Sequence, residues 1–388
     1  MNNNNSLLIV SCYNIVNSNT AGEKRIKCYI NSLLIHEDFS SAYIYYHAKL
    51  FKFEKNKIVE YPKKINFVSL FRTVPESSSI LIYPSTNVLL EIFYLLYFKF
   101  VRKKRVFIEL NEVRKFSITL KSRFSDIYKS PFLFLKNKLK QLLSVIQEYT
   151  LSAYDGLITI SDNITNYNLL KNKIILQIPI LSDIPDLYNH PIKYDYKTPF
   201  KIIFTGTINI KKENLNLALE SLSNLKVNNI ELHLYGPIDK QNLQELDFIK
   251  NKLNLNTHVF HQGIVSNNLL MNIFKEAHLL ILPRGNTKQN QYGFSTKLSE
   301  YLVSGRPVLV TNVSDNGKYI KDGFNGFIIP PDSLESMTNK IKYIYENYNS
   351  FNEMIPSNAL KTVKENFDYN LYSNSLYSFL FQQLLLKN

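Results

Sequence analysis

Short β-branched and aromatic runs alternate with helix-length stretches along this chain, and they do so in two series. The first series stands at residues 7–12, 42–46, 80–83, 106–110, 157–160 and 174–178. A Pro-bearing, weakly apolar stretch over 186–199 interrupts it. The second series follows at 201–205, 230–235, 258–261, 279–282, 307–311 and 326–329. Alternation of this kind predicts parallel sheets covered by helices, an α/β architecture. The restart predicts two such sheets joined near residue 190, one domain over 1–190 and another over 198–365. A last helix within 366–388 is expected to cross back to the first domain. Open α/β sheets bind ligands outside the carboxyl ends of their strands, so the cleft between two facing sheets is the expected site. With 388 residues, 45% of them hydrophobic, the chain can bury two cores.

Two cysteines, Cys12 and Cys28, exclude a disulfide framework and a Cys-based zinc site, and they fit a reducing compartment. The first apolar run, 7–10, is too short for the core of a signal peptide. The most apolar stretch, 88–101, carries Glu91 and Lys99 and is shorter than a membrane span, so it reads as a buried helix. Residues 1–199 hold 27 Lys+Arg against 16 Asp+Glu, most of the formal net charge of +14. The basic residues concentrate at 102–105 and along 114–140, the latter interleaved with Phe116, Phe124, Phe132, Phe134 and Leu135. This pattern fits either a solvated face or an anionic membrane surface. No zinc-finger, RRM or KH signature accompanies it, and no nucleic-acid partner is expected. A cytoplasmic location follows, with peripheral contact at the inner face of the membrane as the extension.

The most informative segment is 292–310, YGFSTKLSEYLVSGRPVLV. Gly293 and Ser295 break an irregular loop, and a helix is expected through about Ser304. Leu298, Tyr301, Leu302 and Gly305 form one buried stripe, which places Lys297, Glu300 and Ser304 on the opposite face. Backbone N–H groups of Phe294, Ser295, Thr296 and Lys297 then sit at a helix start, where an anion is favoured. Glu300, one turn on, is placed to accept from a ribose diol. The bland alternative is an amphipathic helix with an exposed Lys/Glu face.

The pieces from residue 201 to about 345 resemble, in order and spacing, the donor domain of family-four retaining glycosyltransferases of the GT-B fold. That fold has two Rossmann-like domains facing across a cleft. IIFTGTINIKKENLNLALESL resembles the family's strand, glycine and basic residue before a helix. ELHLYGP and VFHQGIVSNNLLMNIFKEAHLLILP resemble its base-binding strand and loop, and GFSTKLSEYLVSGRPVLVT its phosphate loop and helix. The resemblance implies a nucleotide diphosphate sugar as donor, with Lys212 on the diphosphate and Gly206 and Val265 in the donor-binding loops. Glu300 matches the family's second acidic residue. Two positions depart from the pattern. Thr207 stands where an Arg often helps bind the phosphates, and Tyr292 where a Glu touches the sugar. Arg284, at the end of the preceding strand, is the candidate replacement cation. In the first half, VSCYNIVNSNTAGEKRI places Gly22 near the donor phosphates with Arg25 opening a helix. VFIELNEVRKF presents Asn111 and Glu112 to the cleft, where Glu112 orients sugar or acceptor or else caps a turn.

Leaving-group charge needs fixed cations. The metal-anchoring Asp-x-Asp tripeptide is absent, and the seven histidines show no ligand spacing. Lys212, Lys297 and the helix start are therefore expected to act without metal or cofactor. His233 and His261 flank the nucleotide loops but read first as strand or loop residues. No Gly-x-Gly-x-x-Gly or Walker sequence points to a dehydrogenase or ATPase. The expected acceptor is a glycan or lipid-linked oligosaccharide in surface polysaccharide assembly. A sugar-nucleotide epimerase of the same architecture and a basic membrane- or nucleic-acid-binding protein are the alternatives.

Overall fold

The computed structural model describes residues 5–11, 20–55, 57–76, 78–84, 87–117, 130–182, 199–225, 227, 229–351 and 354–382. The loop expected after the first strand, Cys12, the linker near residue 190, His190 and residues 118–129 of the basic stretch lie outside these. The chain divides into two compact units. One is Met1–Leu181 together with Tyr369–Asn388, and the other is Ser182–Asp368.

In the first unit the elements are β1 (Asn5–Val10), α1 (Ala21–Leu33), β2 (Phe39–Tyr46), β3 (Lys49–Glu54), β4 (Lys57–Glu60), α2 (Phe67–Thr73), β5 (Ser78–Ile82), α3 (Val88–Leu96), β6 (Val106–Leu110), α4 (Pro131–Thr150), β7 (Gly156–Thr159), α5 (Asp162–Thr165) and β8 (Ile175–Gln177). The sheet order is β4-β3-β2-β1-β5-β6-β7-β8. From β2 to β8 all neighbours run parallel; β2-β3 and β3-β4 are antiparallel. The hairpin β3–β4 is a departure from the all-parallel expectation. In β3 Phe51 and Phe53 are buried and Lys52 between them is not, the alternation of a half-exposed edge. Inner strands such as β1 and β6 are buried along nearly their whole length, which requires continuous apolar runs.

Arg25 does not open α1 toward a ligand. Its guanidinium is buried against Glu109, and its Nη2 donates to the Ile178 carbonyl at 2.7 Å. The 102–105 cluster is also engaged internally. Lys104 donates to the Glu76 carbonyl, and Arg105 donates to the carbonyls of Phe379 and Gln382 while its guanidinium lies over the Phe107 ring. Arg114 and Lys115 pair with Glu91 and Glu148. The stretch 88–101 is not a buried helix. It forms α3 and a π-helical turn, Tyr97–Val101, and buries one side only.

In the second unit the elements are β9 (Phe200–Thr205), α6 (Ile210–Glu213), α7 (Leu215–Leu225), β10 (Ile230–Tyr235), α8 (Lys240–Lys252), β11 (Val259–Gly263), α9 (Asn267–Glu276), β12 (Leu279–Leu282), α10 (Lys288–Gln291), α11 (Lys297–Val303), β13 (Val308–Thr311), α12 (Asn316–Tyr319), β14 (Phe327–Ile329), α13 (Leu334–Glu346) and α14 (Met354–Asn366). The sheet is wholly parallel, in the order β11-β10-β9-β12-β13-β14. Strands leave β9 in one direction through β10 and β11, then resume on its other side at β12. The β9/β12 pair is therefore the topological switch point, where open α/β sheets leave a crevice at their carboxyl ends.

The chain closes in the first unit with α15 (Ser373–Phe381). Leu376, Phe379 and Leu380 belong to the same core as Leu7, Ile26 and Phe107. The Phe379 and Phe107 rings lie 5.1 Å apart, and a β-carbon on Gly156 would stand 2.5 Å from Phe379. Ser373 donates to the Ser32 carbonyl and Ser79 to that of Leu380, each at 2.7 Å.

Candidate active site at the switch point of the second unit

The site starts where β9 ends. The Thr205 N–H donates to the buried Tyr301 hydroxyl at 2.8 Å, tying β9 to α11. Gly206 follows at φ +114°, with its N–H on the Tyr235 carbonyl. A β-carbon at Gly206 would lie 2.2 Å from Lys297 Cε, so only glycine leaves room for that side chain. The Lys297 ammonium sits 4.2 Å from the centre of the Phe204 ring and 3.4 Å from Glu213 Oε2. Arg284, just past β12, reaches the same carboxylate with both arms, Nε to Oε2 at 3.0 Å and Nη2 to Oε1 at 3.1 Å.

Supporting bonds hold this group in place. Asn209 caps α6 by accepting from the Lys212 N–H, and Asn290 Nδ2 donates to the carbonyls of Lys212 and Gly285, each at 3.0 Å. Thr311 donates to the Arg284 carbonyl at 2.6 Å. Burial pushes the Glu213 carboxyl up, but Arg284 and then Lys297 beside it hold it well below the usual carboxylate range. Burial is also the main influence on Lys297 and, against the pull of Glu213, brings its ammonium down to about 8. Lys212 adds a third positive charge to their surroundings. Three cations around one carboxylate leave a positive surplus at the crevice, suited to a multiply charged anion.

Several expected positions are placed differently. Lys297 does not share an outward face with Glu300 and Ser304. It points back beneath β9, its side chain 15% exposed, and Ser304 is buried with its hydroxyl on the Tyr301 carbonyl. Glu300, like Lys297, is partly exposed. Arg284 reaches the carboxylate that Lys297 also faces, so its guanidinium is already paired. Phe294 is buried, stacked on Tyr319 at 5.5 Å, and Ser295 is buried beside it. Thr296 is partly buried as the residue before α11, a helix of fewer than two turns. Tyr292 ends α10, half-buried, with its N–H on the Lys288 carbonyl. Thr207 is exposed in the loop after β9, and Val265 is half-buried in the loop after β11. His233 bonds Glu231 and Gln262, and His261 the Gly236 carbonyl. Gly22, in the first turn of α1, and Glu112, exposed after β6, belong to the first unit. Asn111 there donates to the Tyr83 hydroxyl at 3.0 Å.

Glu213 and Asn290 are the residues that a motif reading misses. The signal for Glu213 is its spacing. Glu213 stands between the buried Ile210 and Leu215, and a carboxylate among buried apolar positions needs a cation partner. Among the described residues, no group of three or more His, Cys, Asp or Glu side chains is placed to hold a metal ion.

Two parallel-sheet α/β units with this switch-point site define the GT-B class. Solved structures agree on the fold. Sucrose-phosphate synthase from Thermosynechococcus elongatus superposes with a TM-score of 0.68 at 13% identity, over 97% of this chain and 99% of that one. HepE of Anabaena, solved with UDP-glucose, gives 0.64 at 14% identity over the same shares. Residues 189–361 match the family described as glycosyl transferases group 1, so the second unit is a glycosyl transferases group 1 domain. The sucrose synthase of Melioribacter roseus is 34% identical over 89 residues, which span 22% of this chain and 11% of that protein.

Proposed function

We propose that this chain is a hexosyltransferase that moves a sugar from a nucleotide diphosphate donor to a glycan or lipid-linked acceptor, with retention and without a metal. The carrying observation is the position of Lys297, Arg284 and Lys212 around Glu213 at the β9/β12 switch point. Fixed positive charge at that place stabilises a departing diphosphate, because it needs no reorganisation as charge develops. HepE was solved with UDP-glucose and shares the fold, which favours a nucleotide sugar at the same crevice.

In this reading the bond from the anomeric carbon to the diphosphate oxygen breaks while Lys212 and Lys297 take up the growing charge. The acceptor oxygen forms its bond on the same face, and its proton passes to the leaving phosphate oxygen. Glu300 accepts from the ribose hydroxyls, and Tyr292 covers the carbon face of the sugar. Glu112 orients sugar or acceptor from the first unit. Surface polysaccharide assembly is the setting this chemistry fits.

A thermal-shift series with UDP-, GDP-, ADP- and CMP-sugars tests the donor class. A ligand at 100 times its Kd stabilises by about 2.7 kcal/mol. No shift with any of them rejects the reading. Incubation with donor alone separates transfer from isomerisation, since an epimerised donor would indicate the latter. Activity is expected to persist in excess EDTA, and loss that magnesium or manganese restores would overturn the metal-free mechanism.

A further inference from the structure

Helices α3 and α4 of the first unit leave an unusual amount of apolar surface facing outward. Glu91 of α3 is 1% exposed and accepts from both terminal nitrogens of Arg114, at 3.1 and 2.6 Å, and from Gln147 of α4 at 2.7 Å. Among the described side chains of α4, the buried ones are Ser144 and Gln147. The seam between these helices is thus a charged and amide network.

Apolar residues line the outward side as well, although α3 and its π-turn also bury Val88, Leu95 and Phe98. On α4, Phe132, Leu135, Leu139, Leu142, Ile146 and Tyr149 recur at steps of three and four, which makes a single stripe along the helix. All six are exposed, Phe132 by 77% and Leu135 by 68%. On α3 and the π-turn that continues it, Leu89, Phe93, Leu96 and Phe100 repeat the same steps, and Phe100 is 62% exposed. A surface helix of a water-soluble domain normally shows the reverse, with its apolar stripe inward. Contiguous exposed apolar surface of this extent marks a contact site.

Charge decides what covers it. Lys136, Lys138 and Lys140 are exposed on α4 alongside the stripe. The one carboxylate of α4, Glu148, is taken by Lys115 at 2.8 Å, and the one carboxylate of α3 is the buried Glu91. A second copy of this face would set lysines against lysines with no acid to pair them. A bilayer with anionic headgroups offers apolar depth to the leucines and phosphates to the lysines, whose stems extend along the apolar surface to reach them. Among the described residues no helix is long and apolar enough to cross a membrane. We infer that α3 and α4 form a face that docks on an anionic lipid bilayer, with α4 lying along the interface. The face is independent of the donor site, so its test needs no turnover.

Flotation of the full chain with vesicles tests this. The chain should float with phosphatidylcholine vesicles containing phosphatidylglycerol at low salt, and release at high salt. Changing Lys136, Lys138 and Lys140 together to Gln should weaken partitioning by about fivefold per lysine. Changing Leu135, Leu139 and Leu142 together to Gln should weaken it roughly tenfold or more. Both variants should keep the wild-type melting curve, because the altered side chains are exposed. Failure to float with phosphatidylglycerol vesicles at low salt, or equal flotation with pure phosphatidylcholine, overturns the inference. So does a concentration-dependent dimer in sedimentation velocity that the leucine variant abolishes, since the occupant is then a second copy.

Discussion

The Lys297 ammonium lies 3.4 Å from Glu213, on the same carboxylate that both arms of Arg284 engage. One buried acid that follows β9 therefore positions two cations that both follow β12, across the switch point. Removing it leaves like charges in contact within a low-dielectric site. Glu213→Gln should cost about 3–5 kcal/mol, the usual penalty for breaking a buried pair from one side. Because the folded carboxyl titrates below its unfolded range, this stabilisation is present above about pH 5 and lost as pH falls below the ordinary value of about 4.3. Denaturant melts of both proteins from pH 7 downward check this. Equal stability of the two at pH 7 would remove Glu213 from the cluster.

The same spacing explains what was legible in the sequence. Val106–Leu110 and Leu279–Leu282 coincide with the expected runs because central parallel strands are buried on both faces, and Ile230–Tyr235 coincides through its alternation of buried Ile and Leu with half-exposed residues. The β3–β4 hairpin escapes a search for continuous runs, since Lys52 stands between Phe51 and Phe53. Stretch 88–101 reads as buried because a helix apolar all round usually is; its outer residues are exposed instead. At the site, Gly206, Arg284 and Lys297 are visible as residues after strands. Their common partner is not, because Glu213 and Arg284 meet only through the sheet order that makes β9 and β12 neighbours.

With its ammonium brought down to about 8, mainly by burial, Lys297 should make binding of the proposed donor pH-dependent. Between about pH 8 and 10.4 the unfolded chain keeps this proton while the folded chain releases it. Stability from the group rises with pH across that window and is absent below it. Donor affinity should run the other way, because an uncharged amine no longer attracts a diphosphate. Calorimetric titration is expected to show up to about tenfold weaker binding per pH unit above 8, a dependence that Lys297→Met removes. Unchanged affinity between pH 7 and 9 would take Lys297 out of diphosphate binding.

Gly206 and Gly323 separate backbone strain from crowding. Both have positive φ, +114° and +72°, but a β-carbon meets Lys297 only at Gly206 and nothing within 4 Å at Gly323. Gly323→Ala should cost about 1–2 kcal/mol and leave donor binding intact. Gly206→Ala should cost about 1–3 kcal/mol and also displace Lys297, with donor affinity falling in parallel. Thermal melts and titrations of the two variants read this out. Wild-type donor affinity in Gly206→Ala would show that the ammonium's seat is irrelevant.

Lys212→Ala and Glu300→Ala should fold normally, as neither side chain is buried in a core. Each is expected to lose roughly 2.7–4 kcal/mol of transition-state stabilisation, a fall in kcat of about 100- to 1000-fold. Turnover within about twofold of wild type excludes the altered residue from the reaction.

Phe379→Ala should destabilise by about 3–5 kcal/mol, because the ring is 2% exposed and fills the space above Gly156 beside Phe107. Circular-dichroism melts give the value. A loss under about 1 kcal/mol would mean that α15 is an ornament of the first unit and not part of its core.

Because that core is closed by α15, the first unit is assembled from the two ends of the chain. A ribosome that has finished Leu181 must still make all of residues 182–368 before the closing helix exists. At about 5–20 residues per second, that interval is roughly 10–40 s. Throughout it, the seat of Phe379 and Leu380 stands open, while the second unit is already emerging as an unbroken stretch that needs no later residue to finish it. Order of synthesis thus makes the second unit the earlier of the two to mature, and a chaperone that shelters nascent apolar surface would find its client in the half made first.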